Sequence, residues 1–375
     1  MTAARPARVI ITGGGTGGHL FPGLAVAEAL REKGAEVMFV GSTRPFEKRV
    51  LDKAGFVHKA VSVEGFKGRG VWAKMKAAVK LVLGTLKAFF IVAGFSPDLV
   101  IGVGGYASAP CVFAAFCLRK KIAVQEQNVA PGAANKVASR LAGRVYATFD
   151  ASQAFFAAKK VRVYGNPVRL SLLTADSAKE EQPAPDREDK AFTVAILGGS
   201  QGAHGINLAV MDALFHLRPD AGVRFIHQTG EADEKEVRQA YRLWEGPAEV
   251  APFFHDMDRI YGQADLLVCR SGATTLAEVT SLGKPAIFVP FPHATDNHQE
   301  KNARVLEAAG AAEVILEKDI TGKILTDRIL ALAADPEALS RMSEKCKALG
   351  KPGAALAIAQ DALEFAGFPG ERTAG

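Results

Sequence analysis

The sequence predicts two α/β domains in tandem, each a Rossmann-like parallel sheet. Three observations predict this. Short apolar runs alternate with helical patterns along most of the chain. A strand–glycine turn–helix stretch, Val9 to Pro22, returns at Phe192 to His204. Between the two halves, Ser171 to Lys190 is polar, acidic and proline-containing. At 375 residues, 48% hydrophobic and 23% charged, the chain can bury a full core in each half. The net charge of +6 favours an anionic partner, which composition leaves open among nucleic acid, an anionic membrane surface and a phosphorylated substrate. Cys111, Cys117, Cys269 and Cys346 form no CxxC or Cys/His cluster, so buried reduced thiols are expected rather than zinc or disulfides. Met1 to Arg8 has no apolar core of a signal peptide, and none is expected.

In order, the first strand is Val9 to Thr12. The turn Gly13-Gly14-Gly15-Thr16-Gly17-Gly18 follows, and a helix from about Phe21 to Lys33 ends at Gly34, a natural C-cap. Glycines let backbone N–H groups point outward together, and a helix N-terminus adds partial positive charge, so this is a site for phosphate or diphosphate. Next come a strand at Val37 to Val40, a charged helix from about Pro45 to Ala54 and a short strand near His58 to Val63. Strand–helix alternation implies right-handed crossovers in a parallel sheet.

Phe66 to Phe95 carries Lys67, Arg69, Lys74, Lys76, Lys80 and Lys87 and no acidic residue. On a helical wheel, Val71, Trp72, Met75, Val79, Val82, Leu86, Phe89 and Phe90 share one apolar stripe roughly 100° wide. Two readings stand: a crossover helix that buries this stripe, or a helix that lays it on an anionic membrane surface. Lys80, Gly84 and Lys87 argue against a membrane span. Leu99 to Val103 is a strand that ends in a second glycine turn, Gly102 to Ser108. Lys121 to Val124 is a strand leading into Gln125-Glu126-Gln127-Asn128. Val145 to Thr148 is the last full strand of this half, with a short one at Val161 to Tyr164. Ligands of open α/β sheets sit beyond the carboxyl ends of the strands, which makes the polar residues there candidates.

After Gly165-Asn166-Pro167-Val168-Arg169 comes the interdomain connection, spanning about residues 166–191. The second domain, 192–352, opens on Phe192 to His204 with a third glycine turn, Gly198 to Gly205. Strands are expected at Val223 to Gln228, Ala248 to Val250, Leu266 to Cys269 and Ala286 to Val289, and helices at about Thr326 to Leu332 and Pro336 to Ala348. Gly353 to Phe365 reads as a further helix or as a mobile tail.

The turn at Gly13 lacks the Gly-Lys-Ser/Thr of a P-loop. It fits GxGxxG, but Gly41-Ser42-Thr43 offers no acid for a nicotinamide cofactor's ribose, so no cofactor is expected. His19 is a candidate general base or a helix-start packing residue. Cys269 to Glu278 reads as strand end, turn and helix start. Ala273, Thr274 and Thr275 offer N–H groups to a phosphate, and Glu278 offers a carboxylate to ribose hydroxyls or simply a favourable charge near the helix end. Asp296, Asn297, His298 and Gln299 can read sugar hydroxyls. His293 and His298 are not at metal-ligand spacing, so no metal is expected.

From the first strand to about Ala312, the chain resembles the MurG family of bacterial peptidoglycan glycosyltransferases. The carrying residues are Gly13 to Pro22 (GGGTGGHLFP), Gly104 to Ser108 (GGYAS), Glu126 to Asn128 (EQN), Gly165 to Arg169 (GNPVR), Gly198 to Gly202 (GGSQG), Cys269 to Thr275 (CRSGATT) and His293 to Ala303 (HATDNHQEKNA). The resemblance implies a GT-B fold, two Rossmann-like domains facing a cleft, with residues 1–165 as the acceptor domain and a C-terminal helix near 353–375 returning to it. It implies transfer of N-acetylglucosamine from its UDP sugar to lipid I, giving lipid II, at the cytoplasmic face of the inner membrane, with cell-wall synthesis or division proteins as partners and no nucleic acid.

Carried over by residue, the resemblance implies that Thr16, Gly17, Gly18, Asn128 and Gln299 meet the donor sugar, with His298 competing with Gln299. Arg169 and Ser200 serve the donor diphosphate. Phe254 offers its backbone to uracil, Ala273, Thr274 and Thr275 meet the phosphates, Leu276 and Ala277 belong to the same donor-binding stretch, and Glu278 binds ribose. Gly14, Gly15, Gly104, Gly105 and Tyr106 cradle the acceptor diphosphate. His19 is the expected base, with Glu126 as the second candidate, and departing UDP is stabilised without a metal. Two rivals are weighed against this: a UDP-sugar 2-epimerase of the same fold, and a non-catalytic membrane adaptor.

Overall fold

A computed structural model describes residues 5–63, 71–170, 172–173, 191–199, 201–294 and 297–368. Most of the connection (residues 174–190), Ser200, Thr295, Asp296 and the side chains of Val71, Trp72 and Met75 lie outside the described residues. The chain forms two compact units, Met1–Arg169 with Lys351–Gly375, and Leu170–Gly350.

The first unit runs β1 (Arg8–Gly13), α1 (Gly17–Glu32), β2 (Glu36–Gly41), α2 (Pro45–Lys53), β3 (Val57–Ala60), α3 (Val71–Phe95), β4 (Leu99–Gly104), α4 (Ser108–Cys117), β5 (Lys121–Glu126), α5 (Ala133–Leu141), β6 (Arg144–Ala147) and β7 (Val161–Val163). All seven strands are parallel, in the order β3-β2-β1-β4-β5-β6-β7. Val9, Ile11, Leu99 and Ile101 pack with α1 on one face, and Ile10, Val100, Ile122 and Val124 pack with α3 and α4 on the other. Both faces are covered, which is why these strands read as continuous apolar runs.

The C-terminal segment is a helix, not a tail. Ala354–Ala366, labelled α13 below, buries Ala355, Ile358, Ala359, Ala362 and Leu363 in the core formed by α1 and the sheet. A fully buried Ile or Leu contributes roughly 1.5–3 kcal/mol. The Tyr146 hydroxyl also donates to Asp361 at 2.9 Å. The first unit continues past Gly165, where the sequence suggested that the connection begins. Asn166 is buried and accepts from Gln125 Nε2 at 2.9 Å, and Val168 is buried too.

The second unit runs β8 (Phe192–Leu197), α6 (His204–His216), β9 (Val223–Gln228), α7 (Glu234–Trp244), β10 (Ala248–Ala251), α8 (Met257–Gln263), β11 (Leu266–Cys269), α9 (Ala273–Ser281), β12 (Ala286–Phe288), α10 (His298–Ala308), β13 (Glu313–Val314), α11 (Gly322–Ala333) and α12 (Pro336–Leu349). Its strands are all parallel, in the order β10-β9-β8-β11-β12-β13. The two-residue β13 is too short for a periodicity signal.

Three expectations change. Helix α1 starts at Gly17, four residues before Phe21, so Gly17, Gly18 and His19 form its first turn. Of the two readings of helix α3, burial of the apolar stripe does not hold over its described part, Val79 to Phe90. Gly84 packs against the Ser62 carbonyl, and Ala88, Val92 and Phe95 pack on Cys111, Val112 and Ala115 of α4. Val79, Val82, Leu86, Phe89 and Phe90 stay exposed, Phe90 at 73%. Cys111, Cys269 and Cys346 are buried thiols, whereas Cys117 is exposed. Among the described residues, no helix is long and apolar enough to cross a membrane.

Candidate functional site

Each sheet reverses its strand order beside its first strand, between β1 and β4 and between β8 and β11. Such switch points hold the ligands of doubly wound folds. The glycine turns of the sequence lie at these points.

In the first unit the turns after β1 and β4 meet backbone to backbone. Gly14 N–H donates to the Gly104 carbonyl at 3.3 Å. Gly13 (φ 146°) and Gly104 (φ 98°) adopt conformations that favour glycine, and a Cβ on Gly13 would lie 2.5 Å from the Gly104 oxygen. Gly15 N–H donates to the Glu47 carboxylate. The N–H groups of Gly14 and Gly15 thus donate inside the fold. The N–H groups of Thr16 and Gly17 take no acceptor among the described residues. They open the first turn of α1, which carries no acidic residue and no side-chain cap. The His19 ring lies against Gly104: a Cβ there would sit 3.1 Å from His19 Nδ1 and Cε1 and 3.4 Å from Asn135 Nδ2. Tyr106, one residue past Gly105, is exposed.

Glu126, the second candidate base, stands at the end of β5. Its carboxylate is buried and accepts from Asn128 N at 2.9 Å, Asn128 Nδ2 at 3.2 Å, Gly132 N at 3.3 Å and Asn135 Nδ2 at 2.8 Å. Burial raises its pKa, and these hydrogen bonds oppose the rise. Two of these four hydrogen bonds tie the carboxylate to Asn128. Arg169 belongs to the first unit, where its guanidinium stacks 4.8 Å from the centre of the Phe21 ring.

In the second unit, Gly199 and Gly202 take positive φ in the turn after β8. Gln228, which the sequence did not single out, ties two loops together: its Nε2 donates to the Gly199 carbonyl at 2.8 Å and its Oε1 accepts from Phe254 N at 3.0 Å. The Phe254 N–H is therefore engaged, leaving its carbonyl as the backbone group to offer a base. Helix α9 begins at Ala273 after the N-cap Gly272, with no side-chain cap and no acid in its first turn. Leu276 is a core side chain whose N–H closes onto the Gly272 carbonyl at 3.0 Å. Ala277 follows it, half-buried. Glu278, also buried, accepts from the Tyr261 hydroxyl at 2.7 Å. Gln299 Oε1 accepts from Phe291 N at 2.9 Å, fixing the loop between β12 and α10, and His298 beside it is half-buried. Arg270 braces the same loop through the carbonyls of Val289 (3.1 Å) and Pro290 (3.2 Å) and pairs with Glu317. The structure thus sorts the predicted residues into two sets. Thr16 to His19, Gly104, Asn128 and Arg169 lie in the first unit, and Phe254, Ala273 to Glu278 and Gln299 in the second.

Residues 9–147 match the glycosyltransferase family 28 N-terminal domain and residues 193–358 the glycosyltransferase family 28 C-terminal domain. Over 359 residues, 95% of this chain and 98% of the relative, the sequence is 45% identical to the UDP-N-acetylglucosamine–N-acetylmuramyl-(pentapeptide) pyrophosphoryl-undecaprenol N-acetylglucosamine transferase of Syntrophus aciditrophicus. The crystal structure of Acinetobacter baumannii MurG matches with a TM-score of 0.75 at 28% identity, covering 96% of this chain and all of that one. The chain belongs to the MurG family. Its two parallel-sheet units are those of the GT-B fold, as the resemblance implies. A UDP-GlcNAc 2-epimerase from Neisseria meningitidis, bound to UDP-GlcNAc, matches with a TM-score of 0.67 at 15% identity over 96% of this chain and all of that one. That likeness is one of fold alone.

Proposed function

We propose that this MurG-family chain transfers N-acetylglucosamine from UDP-N-acetylglucosamine to the 4-hydroxyl of the N-acetylmuramyl sugar of lipid I, forming lipid II. The observation that carries the reading is 45% identity to a transferase of that name over nearly the whole of both chains. The donor is α-linked and the product β-linked, so a single displacement inverts the anomeric carbon. His19 takes the acceptor hydroxyl proton. Its place in the first turn of α1, against Gly104, supports this role. Glu278 holds the ribose, and the open N-terminus of α9 meets the departing UDP charge, with Ser200 and Arg169 as further partners. Thr16 and Gly17 N–H groups face the acceptor diphosphate or the donor sugar, and Asn128, set by Glu126, and Gln299 hold that sugar.

The exposed stripe of α3, together with Phe113 and Phe116 exposed on the adjoining α4, supports peripheral docking on an anionic membrane, with Lys80 and Lys87 supplying charge. The test is UDP release from UDP-N-acetylglucosamine with and without a lipid I analogue. Release that depends on the acceptor is expected; epimerised sugar formed without lipid, or no turnover at all, overturns the reading.

A further inference from the structure

Glu47 lies on α2 and is 1% exposed, yet its carboxylate reaches under the glycine turn after β1. It accepts from Gly15 N and from Ser42 Oγ (2.6 Å) through Oε1, and from Ser42 N (2.8 Å) through Oε2. A Cβ on Gly14 would lie 2.7 Å from Oε1, and one on Gly41 would lie 2.7 Å from Oε2. The carboxylate therefore fills the space that two glycines leave. Arg44, three residues before Glu47, donates to the Gly15 carbonyl. Gly15 is held at both ends: Glu47 fixes the peptide that enters it and Arg44 the peptide that leaves it. The leaving peptide ends in the N–H of Thr16, the N-cap of α1, so Arg44 and Glu47 together set where that N–H points. A buried carboxylate is costly unless hydrogen-bonded. Here it consumes a backbone donor that an anionic ligand would otherwise use, beside a turn that presents donors to such a ligand.

We propose that Glu47 is a positioning residue for the transfer reaction, acting through the backbone and touching no substrate. It fixes the Gly13–Thr16 turn and, through it, the first turn of α1 with His19. The proposal rests on the transferase reading above. A misplacement of about 1 Å in such a site costs on the order of a hundredfold in rate.

The experiment compares wild type with Glu47→Gln, whose amide cannot accept at both oxygens, and with Ser42→Ala, which keeps the carboxylate and loses one of its donors. Kinetics with UDP-N-acetylglucosamine and a lipid I analogue are read beside hydrogen exchange of the peptide spanning residues 13–20. For Glu47→Gln, kcat is expected to fall at least about tenfold. Affinity for UDP stays within about twofold, and the turn exchanges faster while the rest of the first unit keeps its protection. Ser42→Ala moves both readouts the same way by less, and serves if Glu47→Gln does not fold. Unchanged kcat with unchanged exchange overturns the proposal, as does a kcat loss that only tracks the folded fraction. Absence of transfer by wild type would instead overturn the proposed reaction, and the exchange readout would still test the clamp.

Discussion

The hydroxyl of Tyr261 donates to Glu278 Oε2 at 2.7 Å, and both side chains are buried, Glu278 at 8% exposure. The bond joins α8 to α9 and fixes the rotamer of the carboxylate proposed to hold the donor ribose. A hydrogen bond to a charged group contributes about 1.5–3 kcal/mol. Glu278→Gln is expected to raise the KM for UDP-N-acetylglucosamine at least about tenfold. Tyr261→Phe is expected to raise it less, with kcat at saturating donor nearly unchanged in both. Steady-state UDP release checks this, and equal losses in kcat and kcat/KM would place the pair in the chemical step instead.

His19→Ala is expected to lower kcat by about 10²–10⁴-fold, the span of a lost general base, while UDP binding measured by calorimetry is retained. Gly104 offers an independent approach to the same ring. Its φ of 98° favours glycine, and a methyl group would stand 3.1 Å from the imidazole. Gly104→Ala should therefore also lower kcat, with His19 in place but displaced. Near-normal turnover of His19→Ala with saturating acceptor would remove the histidine from the reaction.

The two sheets were legible because apolar runs alternate with helical patterns, and because β1, β4 and β8 each run into a glycine turn at the carboxyl end. What the sequence hid has specific causes. Glycines disfavour helix interiors, so Gly17 and Gly18 read as loop; in a first turn, whose N–H groups have no partner inside the helix, they are tolerated. A helical wheel finds the stripe of α3 but does not say which side packs. The side that packs is the one with Gly84 and Ala88, where the backbone can approach Ser62 and α4 closely. Glu126 stands at a strand end, where the sequence makes it a candidate, and its donors at Asn128, Gly132 and Asn135 come from residues further along the chain that only the structure brings to it. Glu47 left no sequence signal beyond its place three residues into a charged helix.

The exposed stripe of α3 leads to a prediction about lipid. Val82 is 60% exposed and Phe90 is 73% exposed. Val82→Asp with Phe90→Asp puts two negative charges where apolar side chains would enter an anionic bilayer. Co-sedimentation with phosphatidylglycerol vesicles is expected to fall at least about tenfold, since each lost insertion is worth on the order of 1–2 kcal/mol. Raised salt should weaken wild-type binding through Lys80 and Lys87. Turnover of a short-chain, water-soluble acceptor should survive. Undiminished vesicle binding would move the membrane contact to another surface.

His227 predicts how the second unit responds to acid. The ring is fully buried, with Nε2 3.0 Å from Asn207 Oδ1 and Nδ1 3.2 Å from the Tyr241 hydroxyl. These partners satisfy a neutral imidazole, and burial lowers its pKa from 6.5 to about 3, against a smaller opposing pull from Asp233. In the unfolded chain the histidine gains its proton as pH drops below 6.5, while the folded one stays neutral. The stability is therefore fully present above pH 6.5 and is lost progressively as pH falls towards 3, at about 1.4 kcal/mol per pH unit. Carboxylates elsewhere add their own slopes, so the informative quantity is a difference. His227→Gln can keep one donor and one acceptor but cannot titrate. Chemical unfolding at pH 7, 6, 5 and 4 should show a stability that falls less steeply with acid in His227→Gln than in wild type, by about 1 kcal/mol per pH unit. Parallel curves would mean that the folded histidine takes up its proton as readily as the unfolded one, and that the Asn207–His227–Tyr241 chain does not hold it neutral.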